Sequence, residues 1–250
     1  MTTIHVLSPH FDDACISLGL SMSVWQQAGY DIHLVNCFTQ SDHAPFAAVS
    51  GREAVSRLRA SEDGAFCRAA GIRSVTNLDL LDAPLRGWTS GSLFAPPGAI
   101  PEPAQVRRLG TLLPPLVASG LLVAPLAIGR HVDHILAREA AVRLQNVGLG
   151  FYEDLPYAGA ITAGERTAAA ARLALETGRT LTPAVYTAAD AIERKCQLLS
   201  AYASQFTPDQ VASVRHVMQE YGGGERLWLD PACMTVLRGT AATARADCRP

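Results

Sequence analysis

Two short clusters of histidine and aspartate occur in a chain of 250 residues that has only seven histidines in all. They are PHFDD at residues 9–13 and HVDH at residues 131–134. Together they contribute six side chains that bind metal ions or transfer protons: His10, Asp12, Asp13, His131, Asp133 and His134. A lone aspartate beside a helix is most often its N-cap. One cap needs one side chain, so capping leaves most of the six unexplained.

Imidazole and carboxylate groups together are typical ligands of a divalent metal such as zinc. A catalytic zinc keeps three protein ligands and an open position for water. His10, Asp13 and His134 can supply those three ligands. Because histidine and aspartate also accept other divalent metals, the sequence predicts Zn2+, with Fe2+ or Mn2+ as alternatives.

The remaining members of the two clusters suit the other steps of a hydrolysis. A catalytic metal lowers the pKa of its bound water to about 7, and that water is then the expected nucleophile. We expect Asp12 to complete its deprotonation as general base, and His131 to stabilise the oxyanion or the leaving amine. Asp133 would orient one of the histidines by a hydrogen bond to the ring nitrogen that does not bind the metal.

The elements that must position these clusters follow from the hydrophobic pattern. Apolar β-type runs predict strands at 3–8, 31–39, 74–80 and 121–128. Helical spacing predicts helices at 13–28, 52–70, 104–119, 131–145, 163–177 and 188–203. Strands that alternate with helices indicate an α/β fold with a parallel sheet flanked by helices. Both clusters then follow strands, at the sheet edge where such folds bind ligands.

The stretch 84–103 contains five prolines, which favours a long surface loop inside one domain that spans residues 1–250.

The composition is that of a soluble globular protein. With a formal charge of −2, the chain lacks the basic excess of a nucleic-acid binder. Its six cysteines are scattered without a CxxC pair, which argues against a thiolate zinc site and against a disulfide framework.

The amino terminus lacks a basic segment followed by a long apolar core. No apolar window reaches the roughly 18 residues that cross a bilayer. We therefore expect a cytoplasmic protein with no membrane span and no nucleic-acid partner. Its partner would be a small-molecule substrate, and a homo-oligomer stays open.

In these two clusters and in three further stretches, the chain resembles the PIG-L/LmbE-like family of zinc-dependent N-deacetylases, the N-acetylglucosaminyl deacetylase type. That family has PHxDD after its first strand and a later HxDH, and residues 9–13 and 131–134 match both. Three further stretches are similar to family segments: RASEDGAFCRAAG at 59–71, FYEDLPY at 151–157 and KCQLLSAYASQ at 195–205.

The resemblance implies a Rossmann-like parallel sheet and removal of an N-acetyl or other N-acyl group from a glucosamine-containing conjugate. It implies the metal ligands named above, with Asp12 as general base. His131 would stabilise the tetrahedral intermediate and protonate the departing amine, and Arg59 would contact substrate. The chain departs from the PHPDDE of many members at Phe11 and Ala14, which bears on the substrate more than on the metal chemistry.

Four other residues are weighed by their positions. Asp82 follows the third predicted strand, from which it can contact a substrate hydroxyl. His43 is interpreted as a solvated loop residue, and Trp88 as a cover for apolar surface rather than a platform for a sugar. Asp154 is expected to cap a helix or to form a hydrogen bond near the site.

Two functions from other classes stay open. A His-x-Asp pair with a distant histidine is also the triad of a non-haem iron oxygenase, although those enzymes hold it in a barrel of antiparallel strands. A nucleotide-sugar binding module without catalysis would use the same crevice, but it needs a glycine-rich loop after a strand. The run Gly222-Gly223-Gly224 follows no predicted strand and is interpreted as a turn.

Overall fold

The computed structural model describes residues 2–117 and 120–237. Within those ranges, seven strands form one sheet: β1 (Thr3–Ser8), β2 (Asp31–Asn36), β3 (Ser74–Asn77), β4 (Leu121–Pro125), β5 (Gly148–Tyr152), β6 (Thr182–Tyr186) and β7 (Glu225–Leu229). The helices are α1 (Asp13–Gln27), α2 (Arg52–Ala70), α3 (Pro103–Leu112), α4 (Val132–Ala141), α5 (Ala163–Thr177), α6 (Ala191–Leu199), α7 (Pro208–Glu220) and α8 (Pro231–Leu237).

The order of strands in the sheet is β3-β2-β1-β4-β5-β7-β6. The five strands from β3 to β5 pair in parallel, which confirms the predicted α/β fold. The sheet is not wholly parallel, because β7 runs antiparallel to both β5 and β6. The chain order reverses between β1 and β4, so the turns after these two strands lie on either side of the switch point where such sheets bind ligands.

The sequence located β1 well but missed three strands. β5 carries two glycines, Gly148 and Gly150, which weaken its strand pattern. β6 contains Pro183 and lies at the sheet edge, the place where a strand tolerates proline. β7 has five residues and pairs only with antiparallel neighbours, so it is not part of a βαβ unit that the sequence could have indicated. The helices α7 and α8 were also not predicted.

Several predicted elements end earlier than expected. β2 and β4 end at Asn36 and Pro125 rather than at 39 and 128. The helix predicted over 104–119 ends at Leu112, shortly before Pro114, and residues 118 and 119 of that prediction lie outside the described part. The 84–103 stretch contains a 3₁₀ turn, Pro84–Arg86, and a single antiparallel bridge between Phe94 and His131 before α3 begins at Pro103.

The central strands are buried on both faces. Every residue of β4, β5 and β7 is buried, as is every residue of β1 except Thr3. Helices cover a parallel sheet on both sides, which accounts for the continuous apolar runs. Polar side chains that are to meet a substrate must therefore lie at the strand ends.

Five cysteines are free thiols in the described part of the chain, and four of them, Cys15, Cys37, Cys67 and Cys233, are buried. Cys248 lies outside the described residues. No helix within the described ranges is long and apolar enough to cross a membrane.

Two histidines lie side by side in β1 and β2, away from the two clusters. The Nδ1 atoms of His5 and His33 are 3.1 Å apart, and His33 Nε2 lies 2.9 Å from Thr76 Oγ1. Burial, together with the neighbouring His5, lowers the pKa of His33 below its ordinary value of 6.5. The unfolded chain therefore binds a proton at His33 more readily than the folded chain does. Protonation of the unfolded chain then lowers the free energy of unfolding as pH falls below 6.5.

We expect His33→Gln to reduce the acid sensitivity of folding, because glutamine does not titrate. Denaturant unfolding over a pH series measures the free energy of unfolding of both proteins. The stability of the original chain relative to the variant should fall as pH drops through the ordinary histidine pKa. A difference that is constant with pH would rule out this role for His33.

Candidate active site

The first cluster lies in the turn between β1 and α1. Ser8 Oγ accepts a hydrogen bond from the Ala14 N–H at 3.0 Å and so caps the helix. Asp12 stands at the N-cap position but makes no side-chain cap hydrogen bond. Asp13 Oδ2 accepts the His10 backbone N–H at 2.8 Å. The serine thus leaves Asp12 available for other chemistry.

The second cluster follows β4. His131 is the N-cap residue of α4, and its Nδ1 accepts the backbone N–H of Asp133 at 3.3 Å. Just before it, Gly129 has a left-handed φ of 80°, and a Cβ added there would lie 2.6 Å from the Cβ of Tyr157. Glycine is required at this position because the tyrosine packs directly against the turn.

The three predicted metal ligands meet between the two turns. His10 Nδ1 lies 3.0 Å from Asp13 Oδ2, and His134 Nε2 lies 3.3 Å from Asp13 Oδ1. One ligand atom from each of the three residues lies within 4.8 Å of the others. His134 and Asp13 are buried, and His10 is mostly so. The two turns, far apart in sequence, therefore form one polar crevice.

Each histidine of this trio has a carboxylate on its far nitrogen. His10 Nε2 lies 3.0 Å from Asp133 Oδ2, and His134 Nδ1 lies 2.6 Å from Asp154 Oδ1. Both carboxylates are fully buried. Carboxylates behind metal-binding histidines fix the ring orientation and raise ligand basicity. The arrangement leaves His10 Nδ1 and His134 Nε2 directed at Asp13.

The electrostatics of the trio favour positive charge at its centre. Burial opposes the imidazolium of His10, but Asp13 and Asp133 outweigh it and raise the pKa of His10 to about 9. Against the same burial, Asp13 and Asp154 raise the pKa of His134 well above its ordinary value. Burial likewise opposes the Asp13 carboxylate, yet the two histidines hold its pKa well below the usual range. A divalent cation satisfies the same demand in place of the protons.

One buried atom is suited to bind a cation. His134 Nε2 is fully buried and has no hydrogen-bond partner among the described residues, although Asp13 is close. A buried polar nitrogen without a partner is costly, and the same lone pair is a metal ligand when the imidazole is neutral. The donor set of two imidazoles and one carboxylate fits a divalent metal of the zinc type.

A second trio shares His10 but suits a metal less well. His10, His131 and Asp133 also bring ligand atoms within 4.8 Å of one another. The Asp133 oxygens are already engaged, because Oδ1 accepts from Arg86 at 2.6 Å and Oδ2 accepts from the Ala83 N–H at 2.9 Å. The guanidinium neutralises this carboxylate, so the trio that contains Asp13 is the better metal site.

Asp12 lies beside the trio and is held by Arg59. Arg59 Nη2 donates to Asp12 Oδ1 at 2.8 Å, and its Nη1 donates to Ser41 Oγ at 3.2 Å. Asp12 Oδ2 has no partner among the described residues. Arg59 is only 4% exposed, so its contacts indicate a residue that positions Asp12. Its predicted contact with substrate stays a prediction.

His131 lies next to the trio with an uncharged ring. Burial, with the nearby rings of His10 and His134, lowers the pKa of His131 to about 3. Because Nδ1 accepts a backbone N–H, the proton of the neutral ring is on Nε2. His131 is therefore a hydrogen-bond donor through Nε2 in this state.

The other predicted residues lie around the crevice rather than in it. Asp82 follows β3 but is only 2% exposed, and its Oδ1 accepts the Leu85 N–H at 3.3 Å. Its predicted contact with a substrate hydroxyl also stays a prediction. Trp88 packs against a small apolar cluster and donates its indole N–H to Glu102, in agreement with its interpretation as an apolar cover.

Two residues at the site were not predicted as site residues, although Tyr157 is the last residue of the family-like stretch FYEDLPY. Arg86 donates to Asp133 and, at 2.8 Å, to Glu102 Oε2. Its place in a long loop gave no signal. The Tyr157 ring centroid lies 5.6 Å from that of His134 and 6.4 Å from that of His131. Tyr157 follows β5, so the strand-end rule would have indicated it had that strand been predicted.

Comparisons with known proteins agree with this architecture. A family model described as PIG-L, GlcNAc-PI de-N-acetylase, matches residues 5–144, which is more than half of the chain. The 2'-N-acetylparomamine deacetylase of Streptomyces fradiae is 31% identical over 243 residues, covering 89% of this chain and 80% of that protein.

Solved structures share the fold at lower sequence identity. The zinc-inhibited form of teicoplanin deacetylase Orf2 has a TM-score of 0.70 at 21% identity, covering 92% of this chain and 98% of its own. The A40926 pseudoaglycone deacetylase Dbv21 has a TM-score of 0.69 at 24% identity, with 92% and 97% covered. The N,N'-diacetylchitobiose deacetylase of Pyrococcus horikoshii has a TM-score of 0.63 at 16% identity, with 94% and 85% covered.

Proposed function

Because the chain belongs to the PIG-L family of de-N-acetylases, we propose that it is a metal-dependent hydrolase of N-acylated amino sugars. It removes an N-acetyl or other N-acyl group from a glucosamine-containing conjugate. The observation that carries this proposal is the convergence of His10, Asp13 and His134 beside Asp12. Within the described part of the chain, Asp12 Oδ2 has no hydrogen-bond partner. The relatives named for acetylated paromamine, teicoplanin and chitobiose support the substrate class.

His10, Asp13 and His134 would hold the metal ion, with zinc as the first candidate. When bound, a divalent ion supplies the positive charge that polarises an amide carbonyl and lowers the pKa of a water molecule. Asp133 and Asp154 keep the two imidazoles in the tautomers that leave His10 Nδ1 and His134 Nε2 free to ligate.

The protein groups around the amide move the protons. Asp12 Oδ2 takes a proton from the attacking water, while Arg59 holds Oδ1 and fixes the direction of the carboxylate. His131 donates from Nε2 to the amide oxygen as that oxygen becomes negative. The proton on Asp12 then reaches the departing amine, directly or by way of His131. The C–N bond breaks, and a carboxylic acid and a free amine leave.

The two other functions receive less support. The sheet is parallel over its first five strands and is flanked by helices, unlike the antiparallel barrel of the iron oxygenases. The run Gly222-Gly223-Gly224 forms a turn between α7 and β7 and opens no helix after a strand, as a phosphate-binding loop must.

Removal of metal tests the proposal directly. We expect the purified protein to release the acyl group from at least one member of a panel of N-acylated glucosamine conjugates, followed by mass spectrometry. A chelator should abolish the release, and added zinc should restore it. Activity that survives chelation would remove the metal from the mechanism, and a requirement for dioxygen and iron would support the oxygenase instead.

A further inference from the structure

Most of the exposed large apolar side chains lie in segments that follow strands at the edge of the sheet that bears the site. Seven large hydrophobic residues are exposed in the described part of the chain. Five of them lie in the segments that follow β2 and β3, and we call these five the apolar rim: Phe46, Val49, Leu81, Phe94 and Ile100. The other two, Val75 and Leu175, lie in β3 and α5.

The long loop carries part of the rim across the crevice. It leaves the end of β3 and passes over the turn after β4, where its Ala95 N–H donates to the Arg130 carbonyl at 3.0 Å. The Val132 N–H donates in turn to the Leu93 carbonyl at 2.9 Å. Phe94, between these two hydrogen bonds, therefore stands beside the turn that carries His131.

Charged side chains hold the loop in this position. The Arg130 guanidinium donates to the carbonyl oxygens of Ala95, at 2.8 Å, and of Ala99, at 3.2 Å. Arg86 joins the start of the loop to Asp133, and it pairs with Glu102 at the end of the loop. A loop with anchors at its start, its middle and its end presents Phe94 from a fixed position, as a binding surface requires.

Phe94 stands at the boundary between the crevice and solvent. Its ring centroid lies 5.8 Å from that of His131 and 5.7 Å from that of Tyr157, with both pairs edge to face. Phe94 is nevertheless 49% exposed. An aromatic ring that is held in place, touches a group of the site and leaves half its surface uncovered is suited to contact a ligand.

The segment after β2 contacts Arg59 and holds the backbone of Phe46 in place. The Phe46 N–H donates to the Ser204 carbonyl at 3.2 Å, and the carbonyl of His43, three residues earlier, accepts from Arg59. Arg59 pairs with Asp12. Exposed aromatic residues thus lie in the segment that contacts Arg59, the partner of Asp12, and in the loop beside His131.

We propose that the apolar rim binds an apolar aglycone, so that the substrate is an N-acylated glucosamine linked to an alkyl or aryl group. This inference rests on the proposed function, which places the amide between Asp12 and His131. The buried trio receives the amide, whereas the rim is exposed and lies in two separate segments of the chain. The larger, outward part of the substrate is therefore the part that covers it, and burial of its apolar area adds affinity.

Selectivity between acceptors tests the inference. The kcat/KM for deacetylation is measured on N-acetylglucosamine and on its octyl and nitrophenyl glycosides, with zinc present. We expect the apolar glycosides to be preferred by about tenfold or more. Phe94→Ala and Phe46→Ala should each reduce that ratio several-fold. Leu175→Ala removes an exposed leucine on α5 and should leave the ratio unchanged.

The outcomes separate the two proposals. If no N-acylated compound is hydrolysed, both the proposed function and this inference are wrong. If all three compounds are hydrolysed with equal efficiency, only the inference fails. A preference that depends on a longer N-acyl chain rather than on the aglycone would overturn it. So would alanine variants that alter self-association while leaving selectivity unchanged, because the rim would then be a subunit interface.

Discussion

Asp12→Asn is expected to lower kcat by about 100- to 10,000-fold while the protein keeps its metal ion. Asparagine matches aspartate in shape and can still accept from Arg59 through its amide oxygen, but it cannot take a proton from water. Asp12 is not a member of the trio that would hold the ion. Steady-state kinetics and metal content measured on the same preparation therefore separate the loss of the base from the loss of the site.

The matched control is Asp190→Asn. Asp190 is an exposed aspartate that also stands before a helix without making a side-chain cap hydrogen bond. This variant should keep full activity. Full activity in Asp12→Asn would show that another group takes the proton from water. Loss of the metal ion from Asp12→Asn would indicate that Asp12 is itself a metal ligand.

His134→Ala is expected to abolish both metal binding and detectable deacetylation. The change removes the buried nitrogen that has no hydrogen-bond partner among the described residues, and it leaves Asp154 buried without its imidazole. A site with two remaining protein ligands binds a divalent ion much more weakly. Metal content after dialysis gives the stoichiometry, and circular dichroism checks that the chain is folded.

His216→Ala provides the comparison, since His216 lies on α7 with 70% of its side chain exposed. It should bind metal and turn over substrate like the original chain. One tightly bound ion per chain in His134→Ala would exclude His134 as a ligand. It would direct attention to the second trio, which shares His10 but does not include His134.

Much of the site's framework could be predicted because it depends on local pattern. The apolar run of β1 and the helical spacing of α1 bracket His10, Asp12 and Asp13, and the strand-end rule places them at the ligand edge. The same rule brings the turn after β4 beside them once β1 and β4 are neighbours. These inferences need only the period of the hydrophobic pattern, the residues that end helices and strands, and the parallel arrangement of the strands.

The remaining contacts depend on where loops and side chains go in three dimensions. Arg59 has the spacing of an ordinary helical residue, and nothing in α2 indicates that its guanidinium pairs with Asp12. Arg86 reaches Asp133 only because the proline-rich loop folds back over the sheet edge. The serine cap was overlooked because Ser8 lies six residues before the N–H it accepts, outside the usual N-cap spacing.

The central claim is that His10, Asp13 and His134 hold one divalent ion beside Asp12. Anomalous diffraction at the zinc edge, on crystals of the zinc-loaded protein, locates such an ion directly. We expect one strong peak per chain, in contact with His10 Nδ1, Asp13 and His134 Nε2. Absence of a peak at these three residues, or a peak between His10 Nε2, His131 and Asp133 in its place, would contradict this claim.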